Sequence, residues 1–250
     1  MSSSSGALLF ARYAYPPNEL GYCGPEDASP LLVNETTAVD EQLIAERARH
    51  FEGAWSYLEL IASAAGFDDP LDARVVEAYW VGNDLLDGLD PVGWLGLLGE
   101  RFRSQTGGFW SRLGVDSAAL ALPHHSFQVF AVYPWVGLLR SGSDVPLSVL
   151  NRCRIRWGEV IEVDGERAVV RSKPLTWDGQ VLALGDVRDE AVHWSKDGRS
   201  LLAGVAVGDR VAMHWDWICD RLDARQLSAL QSSSAAQLEL TNTQLAAQPT

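Results

Sequence analysis

The chain has 250 residues, 47% of them apolar and 21% charged, a globular composition that excludes wholesale disorder. Basic residues number 20 and acidic ones 33, for a formal charge of −13. Such a field repels phosphate and excludes a general nucleic-acid or anionic-membrane binder.

No apolar run reaches the roughly 18–20 residues of a transmembrane helix. The start, MSSSSGALLFARY, lacks the basic and apolar regions of a secretory signal. Three cysteines are too few for a disulfide framework, so the expected setting is cytoplasm with reduced thiols. Residues 1–147 hold 8 basic and 19 acidic groups, whereas residues 148–250 hold 12 and 14, a step that suggests two modules.

The first module reads as helical. RYAYPPNELGYCGPEDAS, with Tyr13, Asn18, Tyr22 and Cys23, reads as a turn-rich arm packed over the bundle, or as a recognition loop; Cys23 alone makes no metal site. Thr37 would cap a helix running to Gly66. Asp69-Pro70 would open a second, ending at Gly88, and Asp90-Pro91 a third, ending near Ser104. Asp84, Asp87 and Asp90 fit capping and a solvated face better than an acidic site. A fourth apolar segment runs from His124 to Gly142 and must kink or split at Pro134. His124 and His125 would point about 100° apart on a helix and so chelate poorly as a pair.

The second module changes period. Arg152 to Val163 is rich in β-formers, Asp164-Gly165 is a tight turn, and RAVVRS is the partner strand. QVLALGDV, EAVHWS, RSLLAGV and GDRVAMHW read as further short strands, with a turn at Asp197-Gly198. Five or six such strands suggest a small closed barrel, followed by the helix LDARQLSALQ. The expected organisation is α+β: an acidic helical domain over 1–147, a barrel plus helix over 148–231 that folds alone, and a flexible tail over 232–250.

NRCRIRWGEVIEVDGERAVV and the later VAVGDRVAMHWDWICDRLDARQLSAL resemble the HypC/HupF family of [NiFe]-hydrogenase maturation chaperones. Cys153, Gly158, Val160 and Val163 match its opening, and Val207, Gly208, Asp209, His214, Leu222 and Asp223 its close. The match covers about a third of the chain, 151 to about 231. Cys153 lies inside the chain rather than after an initiator Met, Trp157 stands where the family has Pro, and the first 150 residues have no counterpart. The resemblance implies an OB-like barrel and a non-enzymatic chaperone. It implies a transient iron centre with diatomic ligands, carried through Cys153. The implied partners are a maturation scaffold protein and the hydrogenase large-subunit precursor.

Arg152, Arg154 and Arg156 flank Cys153, and cationic neighbours favour the ligating thiolate. With Trp157 they form the expected partner-docking strip. His214 is the second candidate ligand, or a rim histidine packed on tryptophan; Cys219 reads as a packing residue. Two other readings remain: a scaffold module without metal chemistry, and an enzyme. A pocket between the halves lined by Cys153, His214 and N-terminal polar groups would favour the enzyme. No Walker loop, GxGxxG, GxSxG or CxxC is present.

Overall fold

The computed structural model describes residues 5–32, 40–90, 93–97 and 121–247. Its first element is the centre of the molecule rather than an arm. Helix α1 (Gly6–Glu19) starts where the Ser5 hydroxyl accepts from the Leu8 amide, and it buries Phe10, Ala11, Tyr13 and Ala14 completely. A Cβ on Gly6 would lie 1.7 Å from the Leu71 carbonyl oxygen, so this approach requires glycine. Pro16 and Pro17 fall in its last turn, so the stretch expected as an arm or loop is helical from Arg12 to Glu19.

Against α1 pack α2 (Glu41–Ala48) and α4 (Ala73–Trp80), and α3 (Glu52–Ala65) packs on α4. The single helix expected up to Gly66 is therefore two, broken at Arg49–Phe51, and Gly66 ends the second in a left-handed turn with φ 75°. Asp40 caps α2; Thr37 lies outside the described residues. Asp72, not Asp69, caps α4, and that helix stops at Trp80 instead of Gly88. Asp90 accepts from the Gly93 amide as an N-cap would, but the expected end near Ser104 lies outside the described residues. The segment after Pro123 splits as its proline demands. A helical turn (His125–Phe127) continues as a wider π turn (Gln128–Val132) and breaks at Tyr133-Pro134; a 3-10 stretch (Val136–Ser141) follows.

Helix α5 (Val145–Cys153) leads into the strands β1 (Arg156–Asp164), β2 (Arg167–Ser172), β5 (Arg188–His193), β8 (Arg210–His214) and β9 (Trp217–Arg221). They close in the order β1-β2-β5-β9-β8, with β8 back on β1. Every pairing is antiparallel except the single bridge of β5 to β9 at His193 and Trp217. Val160, Val170, Val192, Val211, Met213 and Ile218 fill the interior. Gly158 lets β1 and β2 meet, since a Cβ there would come within 2.6 Å of the Arg171 carbonyl oxygen. Two hairpins lie outside the ring: β3 (Leu175–Trp177) with β4 (Leu182–Leu184), and β6 (Ser195–Lys196) with β7 (Arg199–Ser200).

The expected tail is instead most of a long helix. Helix α6 (Ala224–Ala246) opens with a reciprocal Asp223–Gln226 capping box and buries Leu230, Leu240, Thr241 and Leu245. Asn242 clamps the β4 backbone at Leu182 through two bonds of 2.9 Å. The halves also share one core: Ala212, Trp217, Cys219 and Leu222 belong to the same apolar cluster as Phe10, Tyr13 and Trp80. A 148–231 fragment would expose that face and lose α1.

Candidate metal centre

The barrel meets the helices at the rim where β8 ends. His214 closes β8, Cys153 ends α5, and His125 opens the helical turn after Pro123. Their ligand atoms all lie within 4.8 Å of one another, and all three residues are buried. They line a cavity of about 330 Å³ whose walls also include Cys23, Tyr79 and Tyr133.

Hydrogen bonds fix the imidazole tautomers. His214 Nδ1 lies 2.7 Å from the Tyr13 carbonyl oxygen, which can only accept, so Nδ1 carries the proton. Nε2 then presents a lone pair, and among the described residues it has no partner. A ring held by a carbonyl through one nitrogen with the other free is the arrangement of a metal ligand. His125 Nε2 lies 2.9 Å from the Cys153 carbonyl oxygen and so donates; its Nδ1 accepts from the Tyr79 hydroxyl at 3.2 Å. The His125 and His214 rings meet edge to face, 5.0 Å between centroids, and Trp80 packs against both.

Burial holds the site neutral. It drives His125 down to about 4 and His214 well below the usual histidine range, where the charge of the other ring opposes it further. It also pushes the Cys153 thiol well up. Arginines therefore do not activate Cys153, contrary to the sequence expectation. Arg156 is 1% exposed and Arg154 4%, so the docking strip does not exist as a surface. Arg156 points inward to Glu190 and to three carbonyls; Arg154 reaches the Lys173 carbonyl and lies over a half-buried Trp157. Arg152 is half-exposed and pairs with Asp216. Cys219 is fully buried away from the cavity, in the core.

The structure thus brings Cys153 and His214 together and adds His125, which sequence reasoning passed over by weighing it only with His124. His124 instead accepts from the Ser126 amide through Nδ1 as a helix cap. No local motif marks His125, because its partners lie 28 and 89 positions further along the chain.

The buried histidines set an acid limit on stability. His125 falls to about 4 and His124 to about 3 in the fold, against about 6.5 unfolded. Below pH 6.5 the unfolded chain takes up protons that the folded chain refuses, so stability is full above 6.5 and lost as pH falls towards 4. Burial raises Asp220 to about 6 and Glu77 above the usual carboxylate range, and both work in the opposite sense as pH falls, but they are two groups against three histidines. Denaturant midpoints should therefore fall steadily from pH 7 to 4.5. A flat profile would contradict the neutral assignment.

The fold and site together define an α+β protein with a buried two-histidine, one-thiol constellation able to hold a metal ion. The chain belongs to a family of unknown function (DUF6390), whose pattern matches residues 2–248. No curated protein and no solved structure matches it. Among the described residues no helix is long and apolar enough to cross a membrane.

Proposed function

We propose that this chain is a metal-carrying accessory factor of [NiFe]-hydrogenase maturation, acting in the cytoplasm, with iron held at Cys153, His214 and His125. The observation that carries the reading is the convergence of Cys153 and His214. The HypC/HupF resemblance places these residues at the opening of the barrel and at the end of its closing strand, and their ligand atoms lie within 4.8 Å together with His125. The closed strand ring fits an OB-like barrel of that family.

The donor set fits the group. One thiolate and two imidazoles suit iron, zinc or nickel, and three protein ligands leave a position for an exogenous ligand or a partner's donor. A bound iron would supply the cargo that a hydrogenase precursor needs. Cys153 must give up its proton to bind it, and burial keeps the thiol protonated until a cation arrives. Tyr13 and the Cys153 backbone aim the imidazoles, and Tyr79 covers the His125 lone pair until it is used. The partner is a hydrogenase large-subunit precursor or a maturation scaffold protein that reaches the cavity.

The cavity also bears on the enzyme reading, since it is lined by Cys153, His214 and the N-terminal Cys23. A nucleophilic thiol would need a cation or a base to ionise it. His214 Nε2 lies within reach as such a base, but burial lowers its proton affinity and raises that of the thiol, so the pair stays neutral, which favours the metal.

Cys153→Ala should fold and yet abolish hydrogenase maturation when it replaces the wild-type gene in the native host. Cys219→Ala, the same chemical change in the shared core, should support maturation as wild type does. Full maturation with Cys153→Ala would make the protein a scaffold without metal chemistry.

A further inference from the structure

The cavity holds a second thiol that the three ligands leave unused. Cys23 lines it on the segment between Gly21 and Gly24, whose φ angles of 73° and 87° are left-handed. That segment is held in place. The Asn18 amide donates to the Cys23 and Pro25 carbonyls at 2.8 and 2.6 Å, and a Cβ on Gly24 would meet the Phe51 ring at 2.4 Å.

Trp215 ties this segment to the metal ligands. Tyr22 stacks on its ring with centroids 4.3 Å apart and planes 13° apart. The Arg152 guanidinium lies 5.4 Å from the same ring, and the Trp215 amide donates to the Arg152 carbonyl at 2.7 Å. Trp215 itself sits at φ 51°, a strained position for a non-glycine residue. So the residues before Cys23 and Cys153 and the residue after His214 meet at one indole, while Cys23, Cys153 and His214 themselves line the cavity. His214 Nε2, 1% exposed as a residue and unpartnered, belongs to the same wall.

We infer that Cys23, which lines the same cavity but whose thiol lies outside the 4.8 Å set of the other three, swings in on metal binding as a fourth ligand and closes His125, Cys153 and His214 into a tetrahedral two-histidine, two-thiolate site for a divalent cation such as Co²⁺, Zn²⁺ or Fe²⁺. The inference rests on the metal reading above and sharpens it. Cys23 is the ligand on the outermost segment, flanked by glycines, and is the one that a partner's donor would replace. No electron moves: two S–H bonds give way to two metal–sulfur bonds, and both protons leave to solvent.

The test is anaerobic Co²⁺ titration of the full chain. Thiolate-to-cobalt absorption scales with the number of sulfurs bound, and tetrahedral cobalt gives intense visible bands. In Cys23→Ser the charge-transfer absorption per cobalt should fall to roughly half, with affinity weakened tenfold or more. Cys153→Ser should likewise lose about half, and Cys219→Ser none. X-ray absorption on the wild-type cobalt protein, which needs no variant, should report two sulfur neighbours. One sulfur, or a Cys23→Ser spectrum equal to wild type while Cys153→Ser loses all charge-transfer absorption, would overturn the fourth ligand and leave the three-residue site standing. No cobalt uptake by wild type would overturn both.

Discussion

Arg156→Ala should unfold the protein more readily than any other single change in the barrel, by about 3–5 kcal/mol. The side chain is 1% exposed and makes five hydrogen bonds. Its Nε and Nη2 grip the two oxygens of Glu190 at 3.3 and 3.0 Å, Nη1 donates to the Asn151 and Arg152 carbonyls at 3.2 Å each, and Nη2 also reaches the Trp215 carbonyl at 2.6 Å. Alanine would take this donor from the Asn151 and Trp215 carbonyls, leave the Arg152 carbonyl with the Trp215 amide alone, and open a void. The guanidinium also knots the end of α5, the β8–β9 turn and β5 together, so Cys153 and His214 would lose their common frame. Lysine keeps the charge but not the planar fork, and Arg156→Lys should recover only part of the loss. Denaturant unfolding measures this directly; a cost under about 1 kcal/mol would show that Arg156 is not the knot.

His214→Ala should separate binding from folding. The structural cost is modest: the Tyr13 carbonyl loses a donor, worth about 1–2 kcal/mol, and Nε2 gives up nothing because it has no partner. Metal affinity should fall at least about a hundredfold, some 2.7 kcal/mol, because one of three ligands is gone and the void cannot supply another. His124→Ala is the informative companion. It removes an equally buried neutral histidine and a helix cap worth about 1 kcal/mol, yet it touches no ligand position. It should lower stability and leave affinity unchanged. Equal loss of affinity in both variants, read by calorimetric titration with Zn²⁺, would mean that packing rather than ligation is being measured.

Much of the barrel was legible because its signals are local. The Asp164-Gly165 turn, the alternation in RAVVRS and the VGD turn before β8 each speak for a few adjacent residues, and the strands formed there. The helical half was harder. Gly66 terminated its helix as expected, but nothing in the sequence announced the break at Arg49–Phe51. RYAYPPN looked like a loop because its prolines usually break helices; they fall in the last turn of α1, where the core holds them. The tail misled for the opposite reason. Its small polar residues look mobile in isolation, yet they are the face that α6 lays on the hairpin and the helical turn after Pro123. Cys153 and His214 could be named from residue order alone, whereas the arginines beside Cys153 were misjudged because sequence gives charge without direction. His125 and Cys23 join the site only through tertiary packing, and their signal exists only in three dimensions.

The central claim is that Cys153, His214 and His125 hold one metal ion. Its most direct measurement is diffraction from anaerobically grown crystals loaded with one equivalent of Zn²⁺ or Fe²⁺, recorded at the metal's absorption edge. The account predicts one dominant anomalous peak in the cavity, about 2.3 Å from Cys153 Sγ and about 2.0–2.1 Å from His214 Nε2 and a His125 ring nitrogen. A peak elsewhere on the acidic surface, with the three residues unligated, would contradict it.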